Sequence, residues 1–268
     1  MRYFGLWGAL MMALATGGAT ADDSAVRKEL APTGKLRVAI AVGPSASALW
    51  TVRDPATGKP KGVPVDLGTA MAQKLGVPVE LVEYASSGEI VASRGMEAWD
   101  VTFVPVDDDR KQAIDFGAPY HLLQSTYLVA PGSTIKTLAE ANRAGVRIAI
   151  VDGTATGRAS VGASPNATTV KVKNPDEAVV LMKAGQLDAI ALSRESVGGL
   201  VDGLPGSRVL EEAFLNSTTA VAVPQNRPAA RAFVTDFIEE AKASGLVRRA
   251  LDAMGLKTSQ VAPAGMKP

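Results

Sequence analysis

The side chains best able to do chemistry fall in two short stretches, and both favour holding an anion over catalysis. In the first, the apolar segment Val101–Val104 stops at Pro105 and runs through Asp107-Asp108-Asp109 into Arg110. A guanidinium at the end of a strand offers rigid paired donors that match a carboxylate; on an open surface the same arginine would only balance its three acidic neighbours. In the second, Val146–Val151 is followed at once by Asp152-Gly153-Thr154-Ala155-Thr156-Gly157. A glycine-containing turn from strand into helix presents backbone N–H groups to an anion, and it is equally an ordinary way to connect the two. Neither a Walker motif nor GxGxxG is present. Catalytic material is sparse. The one histidine, His121, follows Pro119-Tyr120 and reads as structural there. Cysteine is absent, no Ser/His/Asp set can be assembled, and no His/Asp/Glu cluster has metal spacing. Neither a catalytic residue nor a metal or other cofactor is expected.

The elements that must position these stretches alternate between strand and helix. Leu36–Ala41 is a short apolar strand, and a loop rich in Gly, Pro and Ser containing Trp50 follows it. Leu67, Ala70, Met71 and Leu75 fall at helical spacing before Gly76. Val79–Val82 is the next strand, Tyr84–Gly95 a loop and helix, and Val101–Val104 a third strand. This β-α-β-α-β order is the unit of a parallel sheet covered by helices. Ligands in such sheets gather at the C-terminal ends of the strands, where Trp50, Tyr84 and Arg110 all lie. A second unit follows: strands at Ser125–Ala130, Val146–Val151, Val170–Val172 and Leu187–Leu192, with helices between them. One helix start is unusually clear, with Asn174 as cap, Pro175 in the first turn and Glu177 placed to reach back to the cap. Thr219–Val223 is a further strand. Two helices with apolar faces come next, and the chain from Gln260 onward is expected to fray.

Composition narrows the address and the partners. Arg2, an apolar run from Tyr3 to Leu14, and Ala19-Thr20-Ala21 form a secretory signal peptide over residues 1–21. The apolar run is too short to span a membrane, and no later stretch is longer. Without cysteine there is neither a disulfide framework nor an attachment point for a lipid anchor. A soluble periplasmic protein is expected. The chain has 28 Lys+Arg against 27 Asp+Glu, and the signal peptide carries Arg2 and no acid. The remainder is balanced, which argues against a nucleic-acid or acidic-membrane partner.

Five segments in order carry a resemblance: LRVAI, GVPVDLGTAMAQKLGVPVELV, DVTFVPVDDDRKQAIDFGAPY, RIAIVDGTATG and AGQLDAIALS. Together they resemble the periplasmic solute-binding proteins of amino-acid-type ABC transporters, solute-binding family 3, from Leu36 to about Gly255. The resemblance implies an α/β Venus-flytrap fold of two lobes, each a mostly parallel sheet flanked by helices, hinged by two crossover strands. Lobe 1 would hold residues 30–124 plus 216–260, and lobe 2 residues 125–215. Ligand would be trapped between them as the lobes close. In this resemblance Arg110 matches the arginine that grips the ligand's α-carboxylate. Gly153 and Thr154 match a Gly-Thr pair that contacts ligand from the second lobe. Trp50 and Tyr84 lie near the aromatic walls.

Three departures set this chain apart. The segment before Arg110 is shortened, and Phe103-Val104-Pro105-Val106-Asp107 replaces a hydroxyl-bearing stretch, which makes Phe103 and Pro105 candidates for the cleft. Ser193 stands where the family has an aspartate that receives the ligand's ammonium. A neutral hydroxyl cannot balance that charge, and leaving it unpaired in a closed cleft costs several kcal/mol, roughly. Ala41 and Pro44 replace polar residues of the first loop. The implied ligand is a small carboxylate, better without an α-amine, unless Asp107 turns into the cleft; its other reading is a solvated cap on the next helix. The implied role is a monomeric extracytoplasmic component that delivers the solute to a membrane ABC permease. A cyclohexadienyl-dehydratase-like periplasmic enzyme and a ligand sensor for a membrane receptor are the alternatives.

Overall fold

The structure, a computed structural model, describes residues 21–42 and 51–268. The signal peptide up to Thr20, Pro44 and Trp50 lie outside the described residues. The elements run α1 (Ala21–Leu30), β1 (Leu36–Ala41), β2 (Val52–Arg53), β3 (Pro60–Lys61), α2 (Val63–Leu75), β4 (Val79–Tyr84), α3 (Ser87–Ala92), β5 (Val101–Pro105), α4 (Asp108–Lys111) and β6 (Ile114–Val129). They continue with α5 (Leu138–Ala141), β7 (Arg147–Val151), α6 (Ala155–Ala163), β8 (Thr168–Val172), α7 (Pro175–Lys183), β9 (Ala189–Ser193), α8 (Arg194–Val201), β10 (Arg208–Val209), β11 (Leu215–Pro224), α9 (Pro228–Ala243) and α10 (Leu246–Ala253).

Strand alternation explains the layering. In β1, Leu36, Val38 and Ile40 face one side and join Leu67 and Met71 of α2, Val234 and Phe237 of α9, and Leu251 of α10. Ala39 faces the other side, with Trp99, Ile114 and Phe116. The second half repeats the plan. Ala149 and Val151 meet Met182, Val197 and Leu200 on one face, while Ile148 and Ile150 meet Tyr127 and Val129 on the other. These paired cores are the two lobes. The main sheet runs β4-β1-β5-β11-β6-β9-β7-β8, with β10 also on β6. β1 is parallel to β4 and β5, and β7 is parallel to β8 and β9.

β6 and β11 join the halves. They are antiparallel to each other, while β11 also pairs with β5 and β6 with β9. β6 has 16 residues, a reach of roughly 50 Å. The strand expected from Ser125 therefore begins at Ile114. Its first part reads as loop because it contains Gly117 and Pro119. Pro119 sits beside a register shift between Thr219 and Ala220, the kind of irregularity where a residue without an N–H is tolerated.

The tail also differs from expectation. Leu122 N donates to Gln260 O at 2.9 Å, Ala262 N donates to Tyr120 O at 3.0 Å, and Val261 bridges His121. β9 pairs with β6 only from Ser125 onward, so the edge of β6 before it is open, and the tail covers it. At α7, Asn174 Oδ1 accepts from Glu177 N at 3.0 Å, as a cap should. Glu177 reaches back to Lys173 N, one residue beyond the cap.

Candidate ligand-binding site

Parallel strands leave their C-terminal ends along one side of each lobe, and these ends face each other across a cavity. From the first lobe come Ala41 and Val42 after β1, Ala85, Ser86 and Ser87 after β4, and Pro105 at the end of β5. From the second come Val151, Thr154, Thr156 and Pro175, with Ala191, Leu192, Ser193 and Ser196 around the β9–α8 junction. No titratable side chain is among these described lining residues.

The hydroxyls are mostly committed to the protein itself. Ser86 Oγ accepts from Glu89 N and caps α3. Thr154 Oγ1 donates to Val151 O at 2.7 Å and accepts from Gly157 N at 3.0 Å, capping α6. Thr156 Oγ1 lies 3.0 Å from Ser125 Oγ, and Ser193 Oγ donates to Ser196 Oγ at 2.9 Å. Ser87 Oγ accepts from a cation, Arg110 Nη2, at 2.9 Å. Among the described residues its own proton, like that of Ser86, meets no acceptor.

Arg110 is held where local sequence chemistry puts it. Asp107 Oδ1 accepts from Arg110 N at 2.8 Å and starts α4. The arginine side chain then turns inward and is 2% exposed. Nη1 donates to Pro105 O at 3.0 Å, Nη2 to Ser87 Oγ, and Nη2 also lies 3.4 Å from Gly153 O in the second lobe. All three acceptors are neutral, and among the described residues Nε has no partner. Burial pushes this guanidinium down to about 10; Asp107 opposes the shift and Arg158 adds to it. Arg110 does not line the cavity directly. It stands behind Ser87 and Pro105, which do.

The lobes meet tightly beside it. Gly153 has φ 67°, the left-handed region that favours glycine. A Cβ on Gly88 would lie 2.7 Å from Asp152 O and 3.1 Å from Gly153 Cα, so the two backbones touch. Arg158 of α6 pairs with Asp107, its Nε lies 3.1 Å from Asp109 Oδ2, and its Nη1 donates to Gly153 O at 3.1 Å. Asp107 is thus occupied twice, as cap and as ion-pair partner, and does not face the cavity.

The remaining sequence candidates separate. Thr154, Ser193 and Pro105 line the cavity, and Gly153 lies at its interlobe rim. Phe103 is 3% exposed and packs edge-on against Tyr120, with centroids 5.8 Å apart, in the core of the first lobe. Tyr84 is half-buried, and its OH accepts from Ser93 Oγ at 3.0 Å. His121 is fully buried on β6. Its Nε2 is 3.1 Å from Glu195 Oε1 but off the line of a hydrogen bond. Sequence reasoning missed Ser87, Gly88 and Arg158. The small-residue run Ser86-Ser87-Gly88 after a strand was the available signal for the first two. Arg158 is 51 residues from Asp107, so no local pattern could join them.

Comparison with known proteins bears on the family and the fold. The model for bacterial extracellular solute-binding proteins, family 3, matches residues 39–254. The glutamine-binding protein of Geobacillus stearothermophilus is 25% identical over 170 residues, 62% of this chain and 64% of that protein. The chain thus spans slightly less than two thirds of this relative. A mutant of ArgBP from T. maritima superposes with a TM-score of 0.76 at 20% identity, covering 86% of this chain and 99% of that one. An ancestral amino acid-binding protein, described as a precursor of cyclohexadienyl dehydratase, gives 0.74 at 22% identity over 85% and 98%. At these identities the solved structures establish the shared fold and no more. With two lobes, two connecting strands and a family match over most of its length, the chain belongs to the bacterial extracellular solute-binding proteins of family 3.

Proposed function

We propose that this protein is the periplasmic substrate-binding component of an ABC transporter, exported by a signal peptide over residues 1–21, and that it captures a small carboxylate, preferably one without an α-amine. Residues 30–124 plus 216–260 form one lobe and 125–215 the other, with β6 and β11 as the hinge. The observation that carries this reading is Arg110: a buried cation whose hydrogen bonds, among the described residues, all go to neutral oxygens and whose Nε meets no partner among them. The nearest carboxylate, Asp107, is shared with Arg158, and a buried charge that is incompletely balanced costs several kcal/mol, roughly. An anion arriving in the adjoining cavity supplies the missing charge.

Gly153, Thr154 and Ser193 then act from the second lobe, so that one ligand touches both halves and favours the closed state. No acidic side chain stands among the described lining residues to receive an ammonium, which supports an amine-free ligand. The same lack of titratable groups favours binding over a dehydratase-like reaction, which needs a placed acid or base. The monomer closes on its solute and docks on a membrane permease.

Mass spectrometry of small molecules that copurify with the periplasmic protein tests this reading. A carboxylate is expected, and its affinity should fall at least 100-fold in Arg110→Ala while the variant still unfolds cooperatively. A copurifying common L-amino acid would contradict the amine-free ligand. Wild-type affinity in Arg110→Ala would remove Arg110 from the site.

A further inference from the structure

Arg110 supplies charge to the cavity, yet Ser87 is the side chain between them. The Ser87 hydroxyl is 8% exposed as a residue, lines the cavity, and accepts from Arg110 Nη2 at 2.9 Å. Accepting from a guanidinium draws electron density from the oxygen and makes the remaining O–H a stronger donor. Thr154, Thr156 and Ser193 donate to or share hydrogen bonds with protein oxygens, and Ser86 Oγ accepts from Glu89 N as the cap of α3.

We propose that the solute's carboxylate is met by the Ser87 hydroxyl, with Arg110 behind it as the positioning and charge-supplying residue. This rests on the carboxylate reading above and goes further by naming the contact and the size of the solute. The cavity volume is about 80 Å³, which suits a short monocarboxylate. Propionate, butyrate, lactate and pyruvate are solutes of that kind. Beyond the carboxylate the solute meets Ala41, Val42, Ala191 and Leu192, which suit a short apolar or weakly polar tail and offer nothing to an ammonium.

The contact also explains how binding reaches the second lobe. Arg110 Nη2, which holds Ser87, is the same nitrogen that lies 3.4 Å from Gly153 O, and Gly88 beside Ser87 touches the Gly153 backbone. A carboxylate that fixes the Ser87 rotamer fixes the arginine and the interlobe contact with it.

The test measures Kd by calorimetry for propionate, butyrate, lactate and pyruvate, with alanine, glutamine and arginine as comparison, in wild type, Ser87→Ala, Ser87→Thr and Arg110→Ala. One or more of the four carboxylates should bind wild type. Ser87→Ala should weaken the best of them at least tenfold, and Ser87→Thr, which keeps the hydroxyl, should recover most of the loss. If Ser87→Ala binds like wild type while Arg110→Ala does not, the guanidinium meets the anion itself; this inference falls and the carboxylate reading stands. If no carboxylate binds but an amino acid does, both fall. Should Ser87→Ala fail to fold, a crystal structure of the wild-type complex with the best carboxylate decides. A carboxylate oxygen on Ser87 Oγ supports the assignment, and one on Arg110 with Ser87 turned away overturns it.

Discussion

The two lobes carry the same ionic staple in different surroundings. In the first, Asp100 precedes β5 and accepts from Arg37 at N (3.0 Å), Nε (2.9 Å) and Nη2 (2.7 Å). In the second, Asp188 precedes β9 and accepts from Arg147 at N (2.8 Å), Nε (3.0 Å) and Nη2 (3.0 Å). Each aspartate also returns its own N–H to the arginine's carbonyl at 2.9 Å. The geometry is nearly identical and the burial is not. Asp100 is fully buried and lies 3.4 Å from a second cation, Arg227, whereas the Asp188 side chain is 31% exposed. A matched contact list therefore gives unequal stability, because solvent screens the exposed pair while removal of the buried carboxylate strands two arginines.

Breaking the buried staple should have the largest effect. Asp100→Ala is expected to lose about 3–5 kcal/mol in urea unfolding; a loss equal to that of Asp188→Ala would refute the burial argument. Next comes the contact between the lobes. In Gly88→Ala the new Cβ would press on the Asp152 carbonyl, so closure should be hindered and solute affinity should fall about tenfold, roughly 1.4 kcal/mol. The melting temperature without solute should stay near that of wild type, and a drop there with unchanged affinity would mean the contact serves folding instead. Asp188→Ala should give a clearly smaller stability loss than Asp100→Ala in the same urea series.

The smallest expected effect is a pH dependence at the exposed staple. Hydrogen bonding from Arg147 holds the Asp188 carboxyl below the ordinary carboxylate range, with partial burial opposing it. A depressed folded value means the contribution is complete above the unfolded pKa of about 3.9 and is lost as pH falls through the folded one. The stability gap between wild type and Asp188→Asn should therefore narrow below about pH 4. A gap that persists unchanged to pH 2 would show that the pair does not form in solution.

The staples are legible in the sequence as a repeat. Leu36-Arg37-Val38-Ala39-Ile40 parallels Val146-Arg147-Ile148-Ala149-Ile150, and Trp99-Asp100-Val101 parallels Leu187-Asp188-Ala189. Elements with strong local signals were also readable, such as α7 behind Asn174-Pro175 and α2 with its helical spacing. β6 was only half legible, since Gly117 and Pro119 obscure a strand that pairing with β11 sustains. The docked tail was not legible at all: the segment around Val261 has little pattern of its own and is ordered by the open edge it covers.

At the candidate site the division is the same. Sequence by itself determined which groups are available: a strand end followed by Asp107 and Arg110, a Gly-Thr turn after β7, and a serine rather than a carboxylate at 193. Each follows from local spacing, because capping and strand termination act over a few residues. Tertiary structure alone decided their company. It turned Arg110 inward against Ser87, brought Arg158 to Asp107 and Asp109, set Gly88 on Gly153, and sent Phe103 into the core and away from the cavity. Those outcomes depend on how two lobes pack across distances of tens of residues, and on whether a charge is left in water or buried, which no local stretch of chain encodes.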